Sequence, residues 1–115
     1  MYEYYCEGEL TMVKVSIFYP NVDGKKFNMS YYCDVHMVKV QALMGDSIKS
    51  VSVEEGISGI EPGSSAVYVA MANICFDTLD EFYAAFVPAL KEISSDIPNF
   101  TEIEPILQIS EVKIQ

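Results

Sequence analysis

The chain carries one histidine, His36, and the sequence places it on what should be the buried face of a helix. An imidazole has an unperturbed pKa of about 6.5, so one set in a cavity wall can take up and return protons at neutral pH as a general acid or base. The plainer alternative is a neutral core histidine held by one backbone or tyrosine partner. Tyr32 stands one turn earlier and could share a pocket with His36, donating a hydrogen bond to a ligand, or simply form the edge of a core helix. Tyr19 closes the first strand pattern, where pockets in such sheets often open. No carboxylate on the same helix is placed to orient His36, because Asp34 lies on the far side. An orienting acid has to come from another element. Lys39 is nearer, and a cation there lowers the histidine's pKa.

Other chemistries find less support. Cys6, Cys33 and Cys75 form no C-x-x-C pair and leave one thiol unmatched. Nothing basic flanks Cys33 or Cys75 to generate a thiolate, so both read as small buried hydrophobes. One histidine without a Cys or carboxylate pair at ligand spacing makes no dedicated transition-metal site, so no metal is expected. A haem needs only one axial ligand, which His36 could supply, but propionates call for Arg or Lys and the chain has seven basic residues. The expectation is therefore no cofactor, with haem the minor alternative. The glycines between Gly56 and Gly63 fit neither the dinucleotide nor the P-loop spacing. Glu54-Glu55 and Glu102 to Glu104 read as solvated faces.

With 115 residues, 50% of them hydrophobic and 21% charged, the chain suits one domain with a single core. A formal charge of −10 argues against nucleic acid, whose phosphates require clustered Lys and Arg, and against anionic membrane surfaces. No apolar run approaches the roughly 20 residues of a transmembrane helix. Reduced thiols in a cytoplasm are the simple reading of the cysteines. Residues 1–11 stand apart. Glu7-Gly8-Glu9 can be encoded by a purine-rich stretch resembling a bacterial ribosome-binding site a short way upstream of an ATG, which would make Met12 the native start and residues 1–11 translated leader. The alternative is a genuine short arm, and mass spectrometry of the native protein separates the two.

The elements that must position His36 can be read in order. Val13, Val15, Ile17 and Tyr19 alternate with Lys14, Ser16 and Phe18, a half-buried strand over Met12 to Tyr19 that Pro20 to Gly24 ends in a turn. Residues 28–45 read as one helix. Asn28 caps it, Phe27 staples onto Tyr32, and Gly45 ends it. At about 100° per residue, Met29, Cys33, His36, Val40, Leu43 and Met44 share its inner arc, with Tyr32 and Met37 at the edges. Ser47 to Ile57 reads as a second strand, Gly56 to Ser65 as a flexible connection, and Ala66 to Phe76 as a central strand buried on both faces. Thr78-Leu79-Asp80-Glu81 is a capping box opening a helix with Leu79, Phe82, Tyr83, Phe86, Leu90 and Ile93 on one side and a kink at Pro88. After a stop and turn at Asp96 to Asn99, Phe100 to Ile114 reads as a long strand with Pro105 at an edge or bulge.

The order strand–helix–strand–strand–helix–strand predicts an α+β, ferredoxin-like βαββαβ subunit, its two helices on one face of a four-stranded antiparallel sheet. Phe18, the apolar third strand and the last strand would leave an apolar patch on the bare face. Two sheets packed face to face across a two-fold axis would cover it, giving a homodimer with a shared barrel.

FNMSYYCDVHM, AVYVAMANICFDTLDEFYAAF and DIPNFTEIEPILQISEV resemble the EthD family of small dimeric α+β barrel proteins, over essentially Met12 to Val112. The spacing of Tyr31, Tyr32, His36 and Met37 is the most telling element. The resemblance implies a domain at 12–115 serving the breakdown of small organic molecules, such as ethers, aromatics or other xenobiotics, alongside an oxygenase system. Barrel cousins include isomerases, cyclases, cofactor-free monooxygenases and haem-degrading enzymes, and a shared fold does not choose among them. Two departures bear on mechanism. Many relatives have Pro after the His-Met pair, where Val38 stands, and many carry a second histidine in the central strand, where Asn73 stands. Asn73 could still orient a carbonyl or water through hydrogen bonds.

The expected site is thus His36 as the catalytic candidate, with Tyr32, Tyr19 and Asn73 binding a small apolar or aromatic ligand. The expected chemistry is proton transfer, as in an isomerase, lyase or cofactor-free oxygenase. The alternative is a non-catalytic ligand-binding accessory subunit of an oxygenase.

Overall fold

Alternation along Val13–Pro20 forms β1, the strand on which the sheet is centred, with Val13, Val15 and Tyr19 buried. A computed structural model describes residues 12–115; the expected leader at 1–11, and Cys6 with it, lies outside the described residues. β2 (Ile48–Glu55), β3 (Tyr68–Phe76) and β4 (Ile106–Glu111) complete a four-stranded sheet in the order β2-β3-β1-β4, every neighbouring pair antiparallel. This is the α+β, ferredoxin-like arrangement expected from the element order.

The first helix runs through three pieces: α1 (Met29–Tyr31), a π turn (Tyr32–His36) and α2 (Met37–Met44). Asn28 caps it, its side-chain oxygen accepting from Tyr31 N at 3.0 Å. Phe27 lies against Tyr32 with ring centroids 5.1 Å apart, the expected staple. Gly45 closes the helix at φ 61°, a left-handed conformation that glycine adopts without a Cβ penalty. In the π turn Met37 N donates to Tyr32 O, so one extra residue enters the turn and the helical phase slips. Tyr32, His36, Met37, Val40 and Met44 are therefore buried, whereas Cys33 is exposed rather than on the inner arc.

α3 (Leu79–Asp96) opens on Thr78, whose hydroxyl accepts from Glu81 N at 3.1 Å. Its buried arc holds Phe82, Ala89 and Asp96, with Ala85, Phe86 and Ile93 half-buried; Leu79, Tyr83 and Leu90 of the expected stripe are exposed. Pro88 lies inside a helix that runs unbroken across it.

Two strand expectations are corrected. The last strand begins only at Ile106, because Phe100–Pro105 turns inward. Thr101 pairs with Phe27 in an isolated bridge, its hydroxyl donates to Lys26 O at 2.7 Å, and Phe100 and Ile103 are buried. β3 is not buried equally on both faces. Ala70, Ala72, Ile74 and Phe76 pack under the helices, while Val69, Met71 and Asn73 are half-exposed on the opposite face. That bare face is also less apolar than the sequence suggests. Its cross-strand rows read Ile106–Phe18–Met71–Glu54, Gln108–Ser16–Asn73–Ser52 and Ser110–Lys14–Cys75–Ser50, so only the first is mainly apolar.

Candidate active site

Between the helices and the inner face of the sheet lies a cavity of about 200 Å3. Val15, Ile17 and Tyr19 of β1, and Ile74 and Phe76 of β3, form its floor; Tyr32, His36, Met37, Val40, Phe82 and Phe86 are among the helical residues that roof it. Tyr19, Tyr32 and His36 meet here, as the sequence led us to expect. The His36 and Tyr32 rings stack with centroids 5.5 Å apart at 15°, and Tyr32 meets Tyr19 edge-on at 5.6 Å. Phe100 packs against the imidazole at 4.7 Å. The π turn makes this possible by bringing both Tyr32 and His36 inward while α2 keeps Val40 and Met44 on the same side.

Asn73 is not part of this site. It lies on the other face of the sheet, where its Oδ1 accepts from Ser16 Oγ at 2.8 Å and its Nδ2 donates to Glu54 Oε1 at 3.2 Å. Even-numbered β1 residues and odd-numbered β3 residues share that face, so pairing with Ser16 fixes the outward direction of Asn73.

The acid that orients His36 is Asp96, the last residue of α3. Its Oδ2 lies 2.9 Å from His36 Nδ1; its Oδ1 accepts from Tyr31 Oη at 2.7 Å and Asn99 Nδ2 at 2.9 Å, and Lys39 Nζ stands 3.6 Å away. Asp96 is 3% exposed, and an acid at a helix C-terminus meets the negative end of the helix dipole. Burial alone would raise its pKa. The hydrogen bonds from Asn99, Tyr31 and His36, with the Lys39 charge, outweigh that and hold it below the usual carboxylate range. An ionised Asp96 can only accept, so Nδ1 carries the imidazole proton.

Burial lowers the His36 pKa below its ordinary value; the Asp96 hydrogen bond and charge partly offset this, and Lys39 reinforces it. At neutral pH the ring is uncharged, with its lone pair on Nε2. Among the described residues no side-chain nitrogen or oxygen is both sealed from solvent and unpartnered, and none of them offers Nε2 a hydrogen bond. Nε2 is therefore not sealed off, on a ring that lines the cavity. Burial pushes the Tyr19 and Tyr32 phenols up, so both keep their protons, and the two hydroxyls also interact with each other. Tyr31 is likewise raised, chiefly by its hydrogen bond to Asp96.

Among the described residues no three His, Cys, Asp or Glu side chains cluster as a metal site would require. Cys33 and Cys75 are free thiols that do not line the cavity, and Cys33 is exposed rather than buried. No helix of the described residues is long and apolar enough to cross a membrane. Sequence reasoning missed Asp96 because Asp96-Ile97-Pro98-Asn99 reads as turn chemistry. The available signal was an acid where a helix C-terminus disfavours one.

The EthD domain model matches residues 20–104. An EthD-like protein from Ralstonia eutropha JMP134 shares 41% identity over 91% of this chain and 95% of its own, with a TM-score of 0.88. A hydroxynitrile lyase from Passiflora edulis has the same fold at 14% identity and a TM-score of 0.62, over 90% of this chain and 95% of its own. So does a dimeric ferredoxin-like protein from Thermobifida fusca YX, at 10% identity and a TM-score of 0.57, over 96% of this chain and 100% of its own. No curated protein matches. The matched span runs from the end of β1 through the π turn to Asp96 and the inward loop beyond it, and on that span the chain belongs to the EthD family.

Proposed function

We propose that the protein acts by proton transfer on a small apolar or aromatic molecule in small-molecule catabolism, with His36 as general base and then general acid. The observation that carries this reading is the pairing of His36 Nδ1 with a buried, ionised Asp96, which leaves Nε2 bare at the wall of an apolar cavity. Asp96 holds the neutral ring in one tautomer and would stabilise the imidazolium formed on proton uptake. The chemistry needs no cofactor, and the described residues of the cavity wall include no Lys or Arg to meet the propionates of a haem.

The test is exchange of substrate C–H hydrogens with deuterated water for a panel of small carbonyl compounds. Exchange that is abolished by His36→Gln while ligand binding persists supports the enzyme. Ligand binding without exchange of any compound, together with recovery of an oxygenase on pull-down, would instead support an accessory subunit.

We propose further that the working form is a cytoplasmic homodimer pairing through the bare sheet face. The Thermobifida fusca relative is described as dimeric, and on that face Ile106 of the edge strand β4 is 53% exposed in one row with Phe18 and Met71. Light scattering at micromolar concentration checks it, and a stable monomer there contradicts it.

A further inference from the structure

The cavity wall also limits what can enter. Among the described residues that line it, only Tyr19, Tyr32, His36 and Ser94 carry polar side chains, and none is Lys, Arg, Asp or Glu. Lys39, the cation nearest the histidine, is held on Asp96 and is not part of the wall. An ionised carboxylate or phosphate entering here would lose its hydration with no opposite charge to replace it, a heavy cost. The net charge of −10 adds a repulsive field for anions. In size, about 200 Å3 modestly exceeds the roughly 150 Å3 that suffices for benzene in an apolar cavity. One ring with a short substituent fits, and a nucleotide or thioester carrier does not.

We infer that the substrate is an uncharged, single-ring-sized carbonyl compound whose oxygen lies against the Tyr19 and Tyr32 hydroxyls while Nε2 of His36 faces the hydrogen on the adjacent carbon. The inference rests on the proposed proton-transfer site. In the step it describes, Nε2 takes the proton and the C–H electron pair forms the new carbon–carbon double bond. The carbonyl π pair moves onto oxygen, which the tyrosine hydroxyls hold by hydrogen bonds. Where the carbonyl compound carries a β,γ double bond, return of the proton from the imidazolium to the γ-carbon shifts that bond into conjugation and yields an isomer, with no oxidant, reductant or second substrate consumed.

Binding of three probes of similar size tests this without requiring turnover: acetophenone, ethylbenzene and benzoate, followed at pH 8 by ligand-observed NMR titration. Acetophenone should bind at least about 10-fold tighter than benzoate, since the anion leaves a desolvated charge unpaired. Tyr19→Phe and Tyr32→Phe together should weaken acetophenone about 3- to 10-fold, the scale of a neutral hydrogen bond, and leave ethylbenzene within about twofold. Unchanged ethylbenzene binding also shows that the variant keeps its cavity. Benzoate binding as tightly as acetophenone overturns the inference, as does equal loss of both neutral probes, no loss of acetophenone, or no binding of any probe at 10 mM, a concentration on the order of the weakest specific affinities. Selectivity that persists without hydrogen exchange removes the proton-transfer reading alone; exchange without this selectivity removes the substrate class alone.

Discussion

Replacing Asp96 with Asn keeps the side chain's shape and removes its charge. In the native site one carboxylate accepts from His36, Tyr31 and Asn99 at 2.9, 2.7 and 2.9 Å. The amide oxygen can keep the two donors on Oδ1, but the amide nitrogen then faces His36 Nδ1, and two donors cannot share a bond. The imidazole must shift its proton to Nε2 and accept through Nδ1. All three bonds survive in neutral form, each dropping from roughly 1.5–3 to roughly 0.5–1.5 kcal/mol, so Asp96→Asn should cost about 3 kcal/mol. Urea denaturation at pH 7 measures the difference. Because the native Asp96 pKa is lowered, its contribution is fully present above the ordinary value of 3.8 and is lost as pH falls through the native value. The gap between wild type and variant should therefore narrow as acid is added below about pH 4. A difference under about 0.5 kcal/mol, or one that does not change with pH, would refute the argument that a buried charge organises this network.

Further perturbations follow from the same geometry. The His36 pKa is lowered on folding, so its contribution is fully present above the unfolded value of 6.5 and is lost as pH falls through the native value. His36→Gln should accordingly lose less stability than wild type between about pH 7 and 5, as read from paired denaturation curves. Asn28→Ala removes the cap on Tyr31 N and should cost about 1 kcal/mol in the same assay. Phe82, 4% exposed and T-shaped against Phe76, lines the cavity; Phe82→Ala should cost about 3–5 kcal/mol and admit larger ligands, seen as a shift in the preferred size of bound alkylbenzenes.

Much of this architecture was legible in the residue pattern. The alternation of Val13 to Tyr19, the Thr78 capping box and the Asn28 and Gly45 helix ends are local signals, and each formed where local chemistry placed it. His36, Tyr32 and Tyr19 were legible as a group because strand and helix periodicity point all three inward. The π turn was not, since no residue type marks it, and its one-residue slip turned Cys33 outward. Asn73 was misplaced because a nearly continuous apolar strand hides which face is which, and only pairing with Ser16 decides. Phe100 to Pro105 alternates like a strand but turns inward, where Phe100 covers His36. Asp96 carried only one local signal, an acid at a helix C-terminus, and the partner that gives it meaning lies 60 residues away in the chain.

A single histidine makes the central claim directly measurable, since one imidazole gives one set of ring nitrogens. Long-range 15N–1H correlation on labelled protein at pH 7 should show Nδ1 protonated and Nε2 bare, with the Nε2 resonance moving when an apolar ring compound is added. A proton on Nε2, or an Nε2 signal indifferent to every ligand that binds, would contradict the account.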